Sequence, residues 1–66
     1  MADGFYKTVI QELKKMGFSR LPKKGKGSHE LWENDETGRT VLVPRHLKSR
    51  HTANGILSDA GSHLHL

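Results

Sequence analysis

At 66 residues, 33% of them hydrophobic and none of them cysteine, the chain makes one small domain with no disulfide or thiolate-zinc site, so its core must come from compact helix-on-sheet packing. No apolar run approaches the roughly 20 residues a membrane span needs, and no signal-peptide segment precedes the first helix, which predicts a soluble cytoplasmic protein. The formal charge is +4, and the six basic residues from Lys14 to Lys26, with no acidic residue between them, predict a polyanion as partner, nucleic acid first.

Asp3 stands where a helix N-cap would. From Phe5 to Met16, Phe5, Val9, Leu13 and Met16 recur at helical spacing and Tyr6 and Ile10 widen the stripe, while Lys7, Gln11, Glu12, Lys14 and Lys15 take the opposite side. Gly17 ends that helix, and Lys14 and Lys15 complement its C-terminal partial charge. Phe18 to Pro22 reads as a short first strand, confined by its proline to an edge or a strand end. A second strand from His29 to Glu33 sets His29, Leu31 and Glu33 on one face and Glu30, Trp32 and Asn34 on the other. Each face then carries one large apolar group, so alternation leaves open whether Leu31 or Trp32 faces the helices.

Asn34 to Gly38 is a polar hairpin loop, and Arg39 to Pro44 a third strand with the most β-prone run in the chain, Thr-Val-Leu-Val. Arg45 to Arg50 forms a second basic connection. Thr52 to Ala60 reads as a second helix with Ile56, Leu57 and Ala60 inward and Gly61 at its end. Gly55 within it costs about 1 kcal/mol relative to alanine, which suggests close approach to the sheet at that point. Residues 1–66 form a single domain with a loose tail from about Ser62. The class is α+β, in the order α-β-β-β-α, a three-stranded antiparallel sheet with two helices on one face, as in double-stranded-RNA-binding-domain-like folds.

Chemistry concentrates in Lys23-Lys24-Gly25-Lys26-Gly27-Ser28-His29. Its glycines permit close backbone approach, its lysines attract an anion, and its imidazole exchanges protons near neutral pH, a combination suited to phosphate esters. The competing account is a solvated turn with an incidental histidine.

Taken in order, Met16-Gly17-Phe18, Lys26-Gly27-Ser28-His29, Trp32, Val41-Leu42-Val43-Pro44 and Ile56-Leu57-Ser58-Asp59-Ala60-Gly61 resemble HicA-type toxins, the small messenger-RNA interferases of bacterial toxin–antitoxin pairs. The resemblance covers about Phe5 to Gly61. It implies the same fold, metal-independent RNA cleavage through the histidine after Gly-Ser, and neutralisation by a HicB-type antitoxin. The chain departs from the family pattern at Glu30, where a basic residue or second histidine is frequent, at Pro44-Arg45-His46, and at Ser49-Arg50-His51-Thr52 before the second helix. Glu30 lowers the local positive charge, and strand parity decides whether it acts on His29, raising its basicity, or points away from it.

Metal-free RNA cleavage requires a base for the 2′-hydroxyl, positive charge at the phosphorane and an acid for the leaving 5′-oxygen. His29 is the candidate acid–base group. Lys24, Lys26 and the amides of Gly27 and Ser28 are candidates to position the scissile phosphate, with Arg45, Lys48 and Arg50 as further clamps. Tyr6, Glu30, Glu33, His46 and His51 all stand as candidates for a second proton-transfer group.

The alternative reading is a noncatalytic module that binds double-stranded RNA through lysines at the start of the second helix; Lys48-Ser49-Arg50-His51 lacks a long lysine cluster. Specific DNA binding is not expected, because Asn54, Ser58 and Asp59 suit a phosphate-lined groove poorly. No metal or other cofactor is expected: His63 and His65 lie in the tail, and Glu33, Asp35 and Glu36 read as a solvated hairpin. Trp32 reads as core rather than as a base-stacking platform. The basic turns that would draw messenger RNA would also draw the antitoxin, which is expected to cover His29.

Overall fold

A computed structural model describes residues 4–22 and 27–66. The expected cap Asp3 and the basic residues Lys23, Lys24 and Lys26 lie outside the described residues. The elements follow in the expected order: α1 (Tyr6–Lys15), β1 (Phe18–Leu21), β2 (His29–Asn34), β3 (Thr40–Pro44) and α2 (Arg50–Ala60). The strands form one antiparallel sheet in the order β1-β2-β3.

Apolar periodicity in the helices and alternation in the strands meet in a single core. Val9 and Leu13 of α1 and Ala53, Ile56, Leu57 and Ala60 of α2 pack with Phe18, Trp32, Val41 and Val43 of the sheet. Both helices therefore cover one sheet face, as expected. The question left open by alternation in β2 is answered for Trp32, which is 3% exposed. Leu31 lies on the outer face, where the register aligns it with Leu21 and Leu42 in a cross-strand row. Leu42 is 53% exposed, so this row ends at solvent.

The connection between β3 and α2 is more firmly held than a run of basic residues suggests. Leu47 is buried in the core. Its carbonyl accepts the Phe5 N–H at 2.7 Å, and the Arg45 N–H donates to the Ser28 carbonyl at 2.9 Å. Helix α2 begins two residues earlier than its apolar pattern indicates, because the Ser49 hydroxyl accepts the Thr52 N–H at 3.2 Å and caps it. Arg50 and His51 consequently belong to the first turn of the helix.

Two glycines differ in what surrounds them. Gly4 has φ +76°, and a Cβ built there would lie 2.2 Å from the Leu47 carbonyl oxygen. Gly55 was expected to mark a close approach to the sheet, yet it is exposed, with nothing within 4 Å of a built Cβ. That expectation is corrected: the helix turns its Gly55 side to solvent. In urea unfolding, Gly4→Ala is expected to lose at least about 2 kcal/mol through backbone strain and collision, whereas Gly55→Ala should gain about 1 kcal/mol from helix propensity. Opposite shifts of the two midpoints check both assignments.

The stretch after Gly61 also differs from the loose tail expected. Asn54 brackets Leu66, its Nδ2 donating to the Leu66 carbonyl at 3.2 Å and its Oδ1 accepting the Leu66 N–H at 2.7 Å. The Ser62 hydroxyl donates to Glu12 Oε2 at 2.8 Å, and Leu66 packs against the core. Two side chains on separate helices thus hold a segment that has no periodicity of its own.

A candidate nucleic-acid interface at one end of the sheet

β2 begins where β3 ends, and at this end of the sheet several candidate residues meet. Gly27 and Ser28 lead directly into His29, the first residue of β2, and all three are exposed. His29 pairs with Pro44 in the register, and the next residue, Arg45, is tied through its backbone to Ser28. The Gly-Ser turn and the start of the second basic connection are therefore one local structure.

Strand alternation separates His29 from its neighbour. Glu30 faces the helices and is only 7% exposed, whereas His29 lies on the outer face with Leu31 and Glu33. Of the two possibilities for Glu30, acting on His29 or pointing away from it, the parity of β2 gives the second: the two side chains project from opposite sides of the sheet.

A buried carboxylate is tolerated when its lone pairs are matched by donors. Glu30 has two such donors and one ionic partner. Tyr6 Oη donates to Oε1 at 2.6 Å and Trp32 Nε1 donates to the same oxygen at 3.2 Å. Arg45 Nε lies 3.5 Å from Oε2, on a side chain that remains 64% exposed. Burial, then the hydrogen bond to Glu30 and its charge, push the Tyr6 phenol above its ordinary value, while Arg45 and Arg20 pull it down. The phenol therefore stays a proton donor through neutral pH.

Linkage gives this bond a sign. A phenol whose folded value is raised stabilises the fold fully below the ordinary tyrosine range near 10, and the contribution fades as pH rises through the higher folded value. Tyr6→Phe is expected to cost about 1 to 3 kcal/mol at pH 7. The difference between wild type and variant should shrink above about pH 10, because the wild type alone loses the bond there. Urea midpoints of both proteins across that range provide the measurement.

An open cleft of about 510 Å³ lies against this network, lined by Tyr6, Ser28, Arg45 and His46. A second groove, of about 650 Å³, runs along α2 and includes Arg50, His51, Asn54 and His65. Arg45 and Arg50, both offered by the sequence as further clamps, line different surfaces. Lys48 is exposed just after buried Leu47. Among the candidates for a second proton-transfer group, Tyr6 and Glu30 are bonded to each other on the inner side and His46 lines the cleft beside Ser28. Glu33 lies four residues along β2 from His29, about 13 Å at strand rise. Among the described residues, no group of three or more His, Asp or Glu side chains is placed to hold a metal ion.

The family model for the HicA toxin of bacterial toxin–antitoxin systems matches residues 6–62, most of the chain. The chain belongs to the HicA toxin family. It is the toxin of a toxin–antitoxin pair, and its partner is an antitoxin. Comparisons with curated proteins and with solved structures find no match. In this HicA toxin the matched region takes in every described element, from the first residue of α1 to the end of α2. The cleft-lining residues Tyr6, Ser28, Arg45 and His46 all fall within it. No helix is long and apolar enough to cross a membrane among the described residues.

Sequence reasoning named His29, Ser28, Arg45 and His46 individually. It missed that Glu30 is the buried hub joining Tyr6, Trp32 and Arg45. A signal was present: an acidic residue in the alternating set that also holds Trp32 needs a donor on a neighbouring element if that set is the buried one.

Proposed function

We propose that this toxin is a metal-independent endoribonuclease that cleaves messenger RNA and so inhibits translation, with His29 as its principal acid–base group. The observation that carries the reading is the position of His29 in a HicA-family chain: an exposed imidazole at the head of β2, directly after Gly27-Ser28. An imidazole in that position is open to a polynucleotide, and the backbone amides of Gly27 and Ser28 would donate to phosphate oxygens.

The step is an internal transesterification. His29 takes the proton of the ribose 2′-hydroxyl, whose oxygen attacks the adjacent phosphorus. The bond from phosphorus to the 5′-oxygen breaks, and that oxygen takes up a proton as it leaves. The products are a 2′,3′-cyclic phosphate and a free 5′-hydroxyl. Lys24, Lys26 and the Gly27 and Ser28 amides would offset the charge that develops on the phosphorane.

A HicB-type antitoxin covering the outer face of the sheet would restrain this activity. That face presents His29 next to the row of Leu31 and Leu42, so an apolar contact there also buries the imidazole. A complex that leaves His29 open to RNA would overturn this part of the reading.

Incubating the purified toxin with single-stranded RNA in excess EDTA tests the main claim. Cleavage with 2′,3′-cyclic phosphate ends is expected. Binding without cleavage under those conditions would instead favour a noncatalytic RNA-binding module.

A further inference from the structure

The carboxylate of Glu30 and the imidazole of His29 lie at the same end of the sheet but on its two different sides. Arg45 was expected to hold the scissile phosphate together with His29. Its Nε, however, is 3.5 Å from Oε2 of Glu30, a carboxylate on the helix-covered side, while His29 projects from the outer side. Arg45 is thus anchored on the side of the sheet opposite to His29.

We infer that the cleft lined by Tyr6, Ser28, Arg45 and His46 seats an RNA backbone phosphate adjacent to the one being cleaved, with Arg45 as its cationic ligand and Glu30 as the residue that positions Arg45. The inference rests on the ribonuclease reading above and adds to it a second point of attachment for the strand.

Three features support it. First, the cleft is open, about 510 Å³, and its lining combines a guanidinium, an imidazole and a hydroxyl, which suit phosphate oxygens. Second, Arg45 is held at both ends. Its N–H is fixed on the Ser28 carbonyl and its Nε faces Glu30, yet 64% of its side chain is exposed. A guanidinium held in place loses less conformational freedom when it binds an anion than a free one does. Third, Glu30 is itself held by Tyr6 and Trp32, so the site that orients Arg45 is anchored in the core. Arg20 adds positive charge on the same side, close enough to act on the Tyr6 phenol.

A strand of RNA rounding this end of the sheet would place one phosphate at His29 and a neighbour in the cleft. Arg45 would then contribute to substrate binding and leave the chemical step unchanged. Glu30 would act through Arg45, as a positioning residue.

The test uses an oligoribonucleotide with one mapped cleavage site and variants of it in which each flanking phosphate in turn is a neutral methylphosphonate. Arg45→Ala is expected to raise KM about tenfold, with kcat within about twofold of wild type. The slope of log affinity against log salt should fall by about 0.7, the loss of one contact on a single strand. Neutralising one particular flanking phosphate should reproduce that loss in wild type and cause no further loss in Arg45→Ala. Glu30→Gln retains acceptors for Tyr6 and Trp32 but presents no charge to Arg45, so it should raise KM in the same direction without a matching fall in kcat.

An Arg45→Ala variant that loses kcat at constant KM would put the guanidinium on the scissile phosphate and overturn the inference. So would losses that add with every neutralised phosphate, or unchanged KM and salt slope. Should the wild type cleave nothing, the ribonuclease reading falls. Fluorescence anisotropy with the same oligonucleotides then decides the cleft, and equal affinities of wild type and Arg45→Ala would reject it.

Discussion

Substituting alanine for His29 is expected to lower RNA cleavage by about two to four orders of magnitude, the usual contribution of a positioned acid–base group. Folding stability should change by no more than about 0.5 kcal/mol, since the residue is an exposed position outside the core cluster. The two readouts belong together, because a chain this small offers many ways to lose activity through unfolding. Cleavage of end-labelled RNA in EDTA gives the first, and urea unfolding of the same preparation gives the second. The variant should still bind the antitoxin, because the Leu31 and Leu42 side chains on the same face remain. Cleavage at the wild-type rate by His29→Ala would remove the assignment. A matched fall in activity and in stability would make His29 a structural residue.

The sheet explains why some of this was legible in the chain and some was not. Val9 and Leu13 announce α1 because a helical period survives any tertiary context, and the run from Val41 to Val43 announces β3 in the same way. The second strand resists that treatment. Leu31 and Trp32 give each of its faces one large apolar group, so local pattern is balanced, and the decision passes to partners far away in sequence. Tyr6 and Arg45 supply the polar contacts that let Glu30 go inward beside Trp32. Leu47 was hidden by its neighbours, a single apolar residue among Arg45, His46, Lys48 and Arg50 that carries no period. The tail was hidden because its anchors, Asn54 and Glu12, belong to other elements.

The same distinction holds at the candidate site. His29 can be picked out from turn chemistry, since glycine, lysine and imidazole act through local properties. The side on which Arg45 lies cannot, because it follows from the parity of β2. An orientation fixed by one strand therefore sets His29 on one side of the sheet and the Glu30–Arg45 pair on the other.

That parity has its own test in the pair Trp32→Ala and Leu31→Ala, and the first has the largest expected effect on stability. Trp32 is 3% exposed and packs among residues from both helices and the other strands. Its removal should cost about 3 to 5 kcal/mol, against a total of about 3 to 10 kcal/mol for a domain of this length. Loss of its Nε1 bond to Glu30 adds to the cost. Trp32→Ala is accordingly expected to lose most or all of its cooperative urea transition. Leu31 is half-buried on the outer face, and Leu31→Ala should cost only about 1 kcal/mol. The reverse order of severity would turn the strand over, bringing Glu30 out beside the antitoxin face and sending His29 in. Both variants can lose toxicity to the cell, but for different reasons: Trp32→Ala by unfolding, and Leu31→Ala only if the outer face itself meets RNA. The folded fraction measured alongside growth arrest separates the two, and it sets Trp32→Ala apart from His29→Ala, which should be folded and inactive.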